Sequence, residues 1–93
     1  METQVEHCIE KIIQDKDVVG VLVIDDTGLC VSKWGNVNQG AAGLVFSISR
    51  RAEYVYPEDL IQNQNPCIII ESADKRILVK RQYDWTLCIV KKN

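Results

Sequence analysis

Apolar residues between positions 3 and 15 fall at Val5, Cys8, Ile9, Ile12 and Ile13. That i, i+3, i+4, i+7, i+8 spacing gathers on one face of a helix. Thr3 with Glu6 fits the Ser/Thr-x-x-Glu pattern of a capping box, which predicts where the helix starts. The period then changes. Residues 18–25, VVGVLVID, are apolar on both parities, with Val19, Val21 and Val23 on one side and Leu22 and Ile24 on the other. A strand covered on both faces reads this way. Residues 29–35, LCVSKWG, make a more amphipathic strand. Asp25-Asp26-Thr27-Gly28 between the two supplies acidic turn formers and a glycine that accepts positive φ, the chemistry of a short hairpin loop.

Helical period returns over 38–55, NQGAAGLVFSISRRAEYV, with Asn38 suited to cap its start. Ala41, Leu44, Val45, Ile48, Ala52 and Val55 read as the stripe that faces the core. A weaker neighbouring stripe, Ala42, Phe46, Ser49 and Glu53, reads as an outer face. Pro57 closes the region and the polar loop PEDLIQNQNP follows. Three strand-like runs complete the chain: CIIIES (67–72), RILVKR (76–81) and WTLCIVK (85–91), joined by connections as short as hairpin turns. The order α-β-β-α-β-β-β predicts an α+β fold around a five-stranded antiparallel sheet, in one domain spanning residues 1–93.

The remaining composition mostly excludes. At 46% hydrophobic and 26% charged the chain has the balance of a folded globular domain. A net charge of −2 offers no general field for nucleic acid. Lys75, Arg76, Lys80, Arg81, Lys91 and Lys92 gather late and read as solvated strand faces and ends, with a local basic docking patch as the alternative. No apolar run approaches the roughly 18–20 residues that span a bilayer. The N-terminal segment is amphipathic and acidic rather than a signal peptide. Glu2 stands where myristoylation needs glycine, and VKKN is not a prenylation signal, so membrane association is expected through a partner. Cys8, Cys30, Cys67 and Cys88 have no metal or redox spacing and read as buried free thiols.

Candidate chemistry is sparse. Asp26-Thr27-Gly28 is the tripeptide that carries the catalytic aspartate of aspartic proteases, and a dimer could bring two copies of Asp26 together. Yet Asp25 intervenes where an apolar strand end belongs, Leu29 replaces a small residue, and no Gly-rich flap is evident. A turn accounts for the tripeptide. Gly40-Ala41-Ala42-Gly43 has the outline of a KH-type loop but lacks flanking basic residues and sits in a helical pattern. Ser47 and Ser49 lie mid-helix, and His7, the sole histidine, has no acidic partner by spacing. Trp34, Trp85, Phe46 and the tyrosines do not repeat as a base-stacking platform would. No catalytic residue, metal or cofactor is expected.

The element order, with the hairpin VVGVLVIDDTGLCVSKWG, Gly20 early in the first strand, Gly28 closing an acidic turn and Leu29 directly after it, resembles the roadblock family. The opening AAG of the second helix and the ending CIIIESADKRILVKRQYDWTLCIVKK resemble its Ragulator-type members. The resemblance implies a profilin/longin-like roadblock domain without the C-terminal third helix of the dynein light chain members. It further implies a non-catalytic subunit that heterodimerises with a second roadblock subunit and is held by a lipidated scaffold subunit. Such an assembly holds Rag GTPases at the cytosolic face of lysosomes and late endosomes, connecting amino-acid supply to the TOR kinase complex. A roadblock-type dynein light chain, a motor cargo adaptor, is the alternative within the fold. Carried onto this chain, the pairing elements place Ala42, Phe46, Ser49, Arg50 and Glu53 of the second helix at the partner interface. Ile68, Ile69 and Ile70 join them from the edge strand.

Overall fold

The structure is a computed structural model that describes residues 2–55, 67–82 and 84–93. It contains α1 (Glu2–Ile12), β1 (Val18–Ile24), β2 (Cys30–Gly35), α2 (Ala42–Ala52), β3 (Ile68–Glu71), β4 (Lys75–Gln82) and β5 (Trp85–Lys92). Single 3-10 turns, Gln39–Ala41 and Glu53–Val55, extend α2 at both ends. The strands form one five-stranded sheet in the order β2-β1-β5-β4-β3, antiparallel throughout. The Thr3 cap, Pro57, the loop that follows it and Tyr83 lie outside the described side chains.

Each face of the sheet carries one helix and one core. On the α1 face, Val5 and Ile9 pack with Val18, Val21, Val23, Leu87 and Ile89. On the α2 face, Ala42 packs with Leu22, Ile24, Val79 and Cys88, with Val45 and Phe46 beside them. The double apolar parity of β1 therefore has its expected cause: both of its faces are covered. Burying a core side chain of this size contributes about 1.5–3 kcal/mol, so two small cores back to back serve where one large core has no room.

The first hairpin is organised by Asp25 rather than Asp26. One Asp25 carboxylate oxygen, Oδ1, accepts from the Thr27 backbone N–H at 2.9 Å, the Thr27 hydroxyl at 2.7 Å and the Leu29 N–H at 3.0 Å. Gly28 then takes φ +92°, which L side chains rarely adopt. Between Val23 and Ile24 the register shifts, leaving Val31 as an extra residue opposite β1. At the other end of β2, Gly35 adopts φ +76° against the Val19 carbonyl oxygen, which itself accepts the Asn36 N–H at 3.0 Å.

The late basic residues are mostly engaged. Lys75 pairs with Asp74, Arg76 with Glu71, Arg81 with Glu53 and Lys91 with Asp15. The last is the shortest, 2.8 Å, and it ties the α1–β1 connection to β5. It also holds the Asp15 carboxyl below the usual range, with help from the Asp17 N–H. Cys8, Cys30 and Cys88 are at least partly buried, whereas Cys67 is exposed, which corrects the expectation that all four thiols are buried. Burial pushes the Cys88 thiol up, and the Cys8 thiol likewise, although Lys80 and Lys11 oppose the second shift.

Gly35→Ala puts a Cβ into the Val19 carbonyl oxygen in addition to the roughly 1–2 kcal/mol of a left-handed backbone. It should lower stability by about 2 kcal/mol or more in a denaturant titration. A loss below about 0.5 kcal/mol would remove the close approach as a constraint.

Candidate interaction surface

Among the described residues, two apolar surfaces are exposed. The first is an edge of the sheet. Among the described residues β3 pairs only with β4, and Ile69 and Ile70 are 55% and 46% exposed. Paired across from Leu78, Ile69 points to the α1 face, while Ile68 packs at the margin of the α2-side core. An apolar edge strand of this kind is a template for a further strand. The opposite edge, β2, is amphipathic. It carries Lys33 and a half-exposed Trp34 opposite Val21.

The second surface is the outward side of α2, and here both sequence stripes are split. Val45 of the expected core stripe does pack beside the core, but other members of each stripe lie on the side opposite to expectation. Ala42 and Ser49 are 5% and 3% exposed and sit against the sheet, so they are not an outer face of the free chain. Leu44 and Val55, expected in the core, are 66% and 84% exposed. The reason is steric. A helix lying close on a sheet puts short side chains under its axis, and Ala42 and Ser49, seven residues apart, are the short ones. Among the described residues no buried side-chain polar atom lacks a hydrogen-bond partner, so Ser49 sits there without an orphaned hydroxyl.

The remaining residues assigned to the interface divide. Phe46 packs toward the first hairpin, one ring carbon lying 3.2 Å from where a Cβ on Gly28 would stand. Exposed Arg50 lies over that ring, 5.0 Å from its centroid. Glu53 accepts from Arg81 at 3.3 Å, and this pair fastens the end of α2 to β4. What reaches outward instead is Leu44, Arg51, Tyr54 and Val55, none of which the interface assignment included, and two of which, Leu44 and Val55, read as core from their apolar character. The signal that could have found them is the pair of small residues beneath the helix.

A cleft of about 670 Å³ lies on the α1 side, lined by His7, Cys8, Lys11, Gln82, Asp84 and Trp85 among others. His7 is exposed there, as its place off the apolar stripe implies. Trp85 packs at the edge of the α1-side core.

The family model of the Ragulator complex protein LAMTOR5 matches residues 1–92. The chain belongs to the LAMTOR5 family. A LAMTOR5 homologue from Nematostella vectensis is 32% identical over 91 residues, covering 98% of this chain and 97% of that protein. One from Dictyostelium discoideum is 27% identical over 92 residues, covering 98% of each. Among solved structures the fold is similar to a roadblock/LC7 domain from Streptomyces avermitilis, at TM-score 0.68 and 13% identity, covering 89% of this chain and 73% of that one. It is also similar to Myxococcus xanthus MglB, at TM-score 0.72 and 19% identity, covering 89% of this chain and 65% of that one. The chain is thus a Ragulator-type subunit with the roadblock fold, and its family is one of non-enzymatic scaffolds.

Two outcomes follow for this surface and its neighbouring turn. Ser49→Arg forces a charge beneath α2 and should destabilise by about 3–5 kcal/mol, whereas Leu44→Lys on the outward side should change stability by less than about 0.5 kcal/mol. Denaturant titration of both variants checks the stripe assignment. In the turn, three hydrogen bonds to Asp25, the one from the Thr27 hydroxyl first, hold its carboxyl below the usual range. A depressed carboxyl contributes stability above its unfolded pKa of about 3.9 and loses it as pH falls through the lower folded value. Asp25→Ala should therefore lower Tm at pH 7 and the gap from wild type should narrow below about pH 4, while Asp26→Asn leaves Tm unchanged. A larger loss from Asp26→Asn would reverse the roles of the two aspartates.

Proposed function

We propose that this chain is a non-catalytic scaffold subunit that pairs with a second roadblock-fold subunit through the β3 edge and the outward side of α2. The observation that carries the reading is the apolar surface left open at those two elements in a chain of the Ragulator family. Covering a side chain such as Leu44 or Ile69 is worth about 1.5–3 kcal/mol, and a chain this small gains stability from any partner that binds only its folded form. A further strand added at β3 would also satisfy the edge that Ile69 and Ile70 leave open.

The pair is one element of a larger assembly. A lipidated scaffold subunit holds it, and the assembled complex holds Rag GTPases at the cytosolic face of lysosomes and late endosomes for amino-acid signalling to the TOR kinase complex. No described helix is long and apolar enough to cross a bilayer. Recruitment through the lipidated partner is consistent with that.

Affinity purification of the tagged chain from its own cells tests the reading. A second roadblock subunit, a lipidated scaffold and Rag GTPases should copurify. An Ile69→Lys and Leu44→Lys double variant should lose the roadblock subunit while keeping its own folded circular-dichroism spectrum. Recovery of dynein intermediate chain in their place would overturn the Ragulator role and leave the fold standing.

A further inference from the structure

The outward side of α2 carries a seam. Leu44, Ile48 and Arg51 follow one another within α2 at spacings of four and three residues, the repeat by which helices pack side by side, and Ala41 and Val55 continue the spacing into the 3-10 turns at either end. Leu44, Arg51 and Val55 are exposed, and Ala41 and Ile48 are half-buried on the flank of the same stripe. Four members are apolar and one is a guanidinium. The Arg51 side chain donates through Nε to the Ser47 hydroxyl at 3.3 Å, and no carboxylate among the described residues pairs with it.

We infer that Arg51 selects the partner of this seam: it disfavours a second copy of this chain and favours a different helix that places an Asp or Glu opposite it. The inference rests on the proposed pairing through α2 and concerns which chain can occupy it.

With the seam laid against its own copy, the described seam residues that can face Arg51 are Ala41, Leu44, Ile48, Val55 or a second Arg51, in any register. Each copy then either covers a guanidinium without a countercharge or opposes two like charges, and both are unfavourable. The acidic residue among the described positions of this segment, Glu53, is committed to Arg81 on the sheet side. Arg50 is also turned away, over the Phe46 ring. A carboxylate from a non-identical helix would instead make a charge-assisted hydrogen bond with Arg51 at a position the rest of the seam shields from water. A single polar residue in an apolar seam fixes partner choice in this way at some loss of affinity.

The test begins with the chain alone, by sedimentation equilibrium at micromolar concentration. Wild type should self-associate weakly. Arg51→Leu, an exposed position whose change leaves the fold intact, completes the apolar seam and should tighten self-association at least tenfold. Adding Ile48→Asp to Arg51→Leu should abolish that gain. If wild type already dimerises tightly, Arg51→Leu changes nothing and Ile48→Asp breaks the dimer, the selective role of Arg51 is overturned while pairing through α2 stands. A gain that survives Ile48→Asp reflects general stickiness and also overturns it. So does the absence of any gain, with the pairing itself then decided by the copurification above. In the complex with the copurified roadblock subunit, Arg51→Glu should weaken binding more than Arg51→Leu. Equal losses would remove the carboxylate from the partner's face.

Discussion

The pairing of β1 with β5 is the contact on which the rest of the chain depends. Val21 and Val23 face α1 with Leu87 and Ile89, while Leu22 and Ile24 face α2 with Cys88. Two adjacent strands thus divide their residues between two cores, and neither helix has anything to pack on without them. This is also why the sequence ends of the fold meet: β1 follows the first helix, β5 is the last strand, and the antiparallel ladder between them closes the sheet. Such long-range closure is entropically demanding, so the cores on both sides must form with it.

From that centre outward, coverage thins. β4 is buried at Val79 but only partly elsewhere, and β3 and β2 form the edges. Local devices hold the margins instead of a core. Asp25 gathers the first turn, Lys91 and Asp15 tie α1 back to the sheet, and Arg81 and Glu53 anchor the end of α2. Exposed ion pairs contribute little stability individually, and their value here is in fixing where an element ends. The Arg81–Glu53 pair has a second consequence. By keeping the carboxylate of the α2 end on the sheet side, it leaves the outward seam with a cation and no anion of its own.

The open surfaces follow from the same arithmetic of size. The described residues cover each face of the sheet with one short helix, and among them none covers the β3 edge or the far side of α2. An apolar strand edge and an apolar helix flank are costly to leave in water and specific when matched.

The hydrophobic periods by themselves determined the order of elements, the two-sided burial of β1, the hairpin at Asp25–Gly28 and the five-stranded sheet, because each depends on local spacing and turn chemistry. The direction in which α2 faces was decided only in three dimensions. Its two stripes differ in hydrophobicity in the sense that favours Leu44 and Val55 as core, yet Ala42 and Ser49 occupy the core because a helix seated closely on a sheet selects for small side chains, and closeness is a property of the packed pair. The same holds for Gly35, where the Val19 carbonyl across the ladder leaves no room for a Cβ, and for Glu53, whose charge is claimed by an arginine 28 residues away. Spacing along the chain encodes which residues share a face, but only contact between elements decides which face is inside.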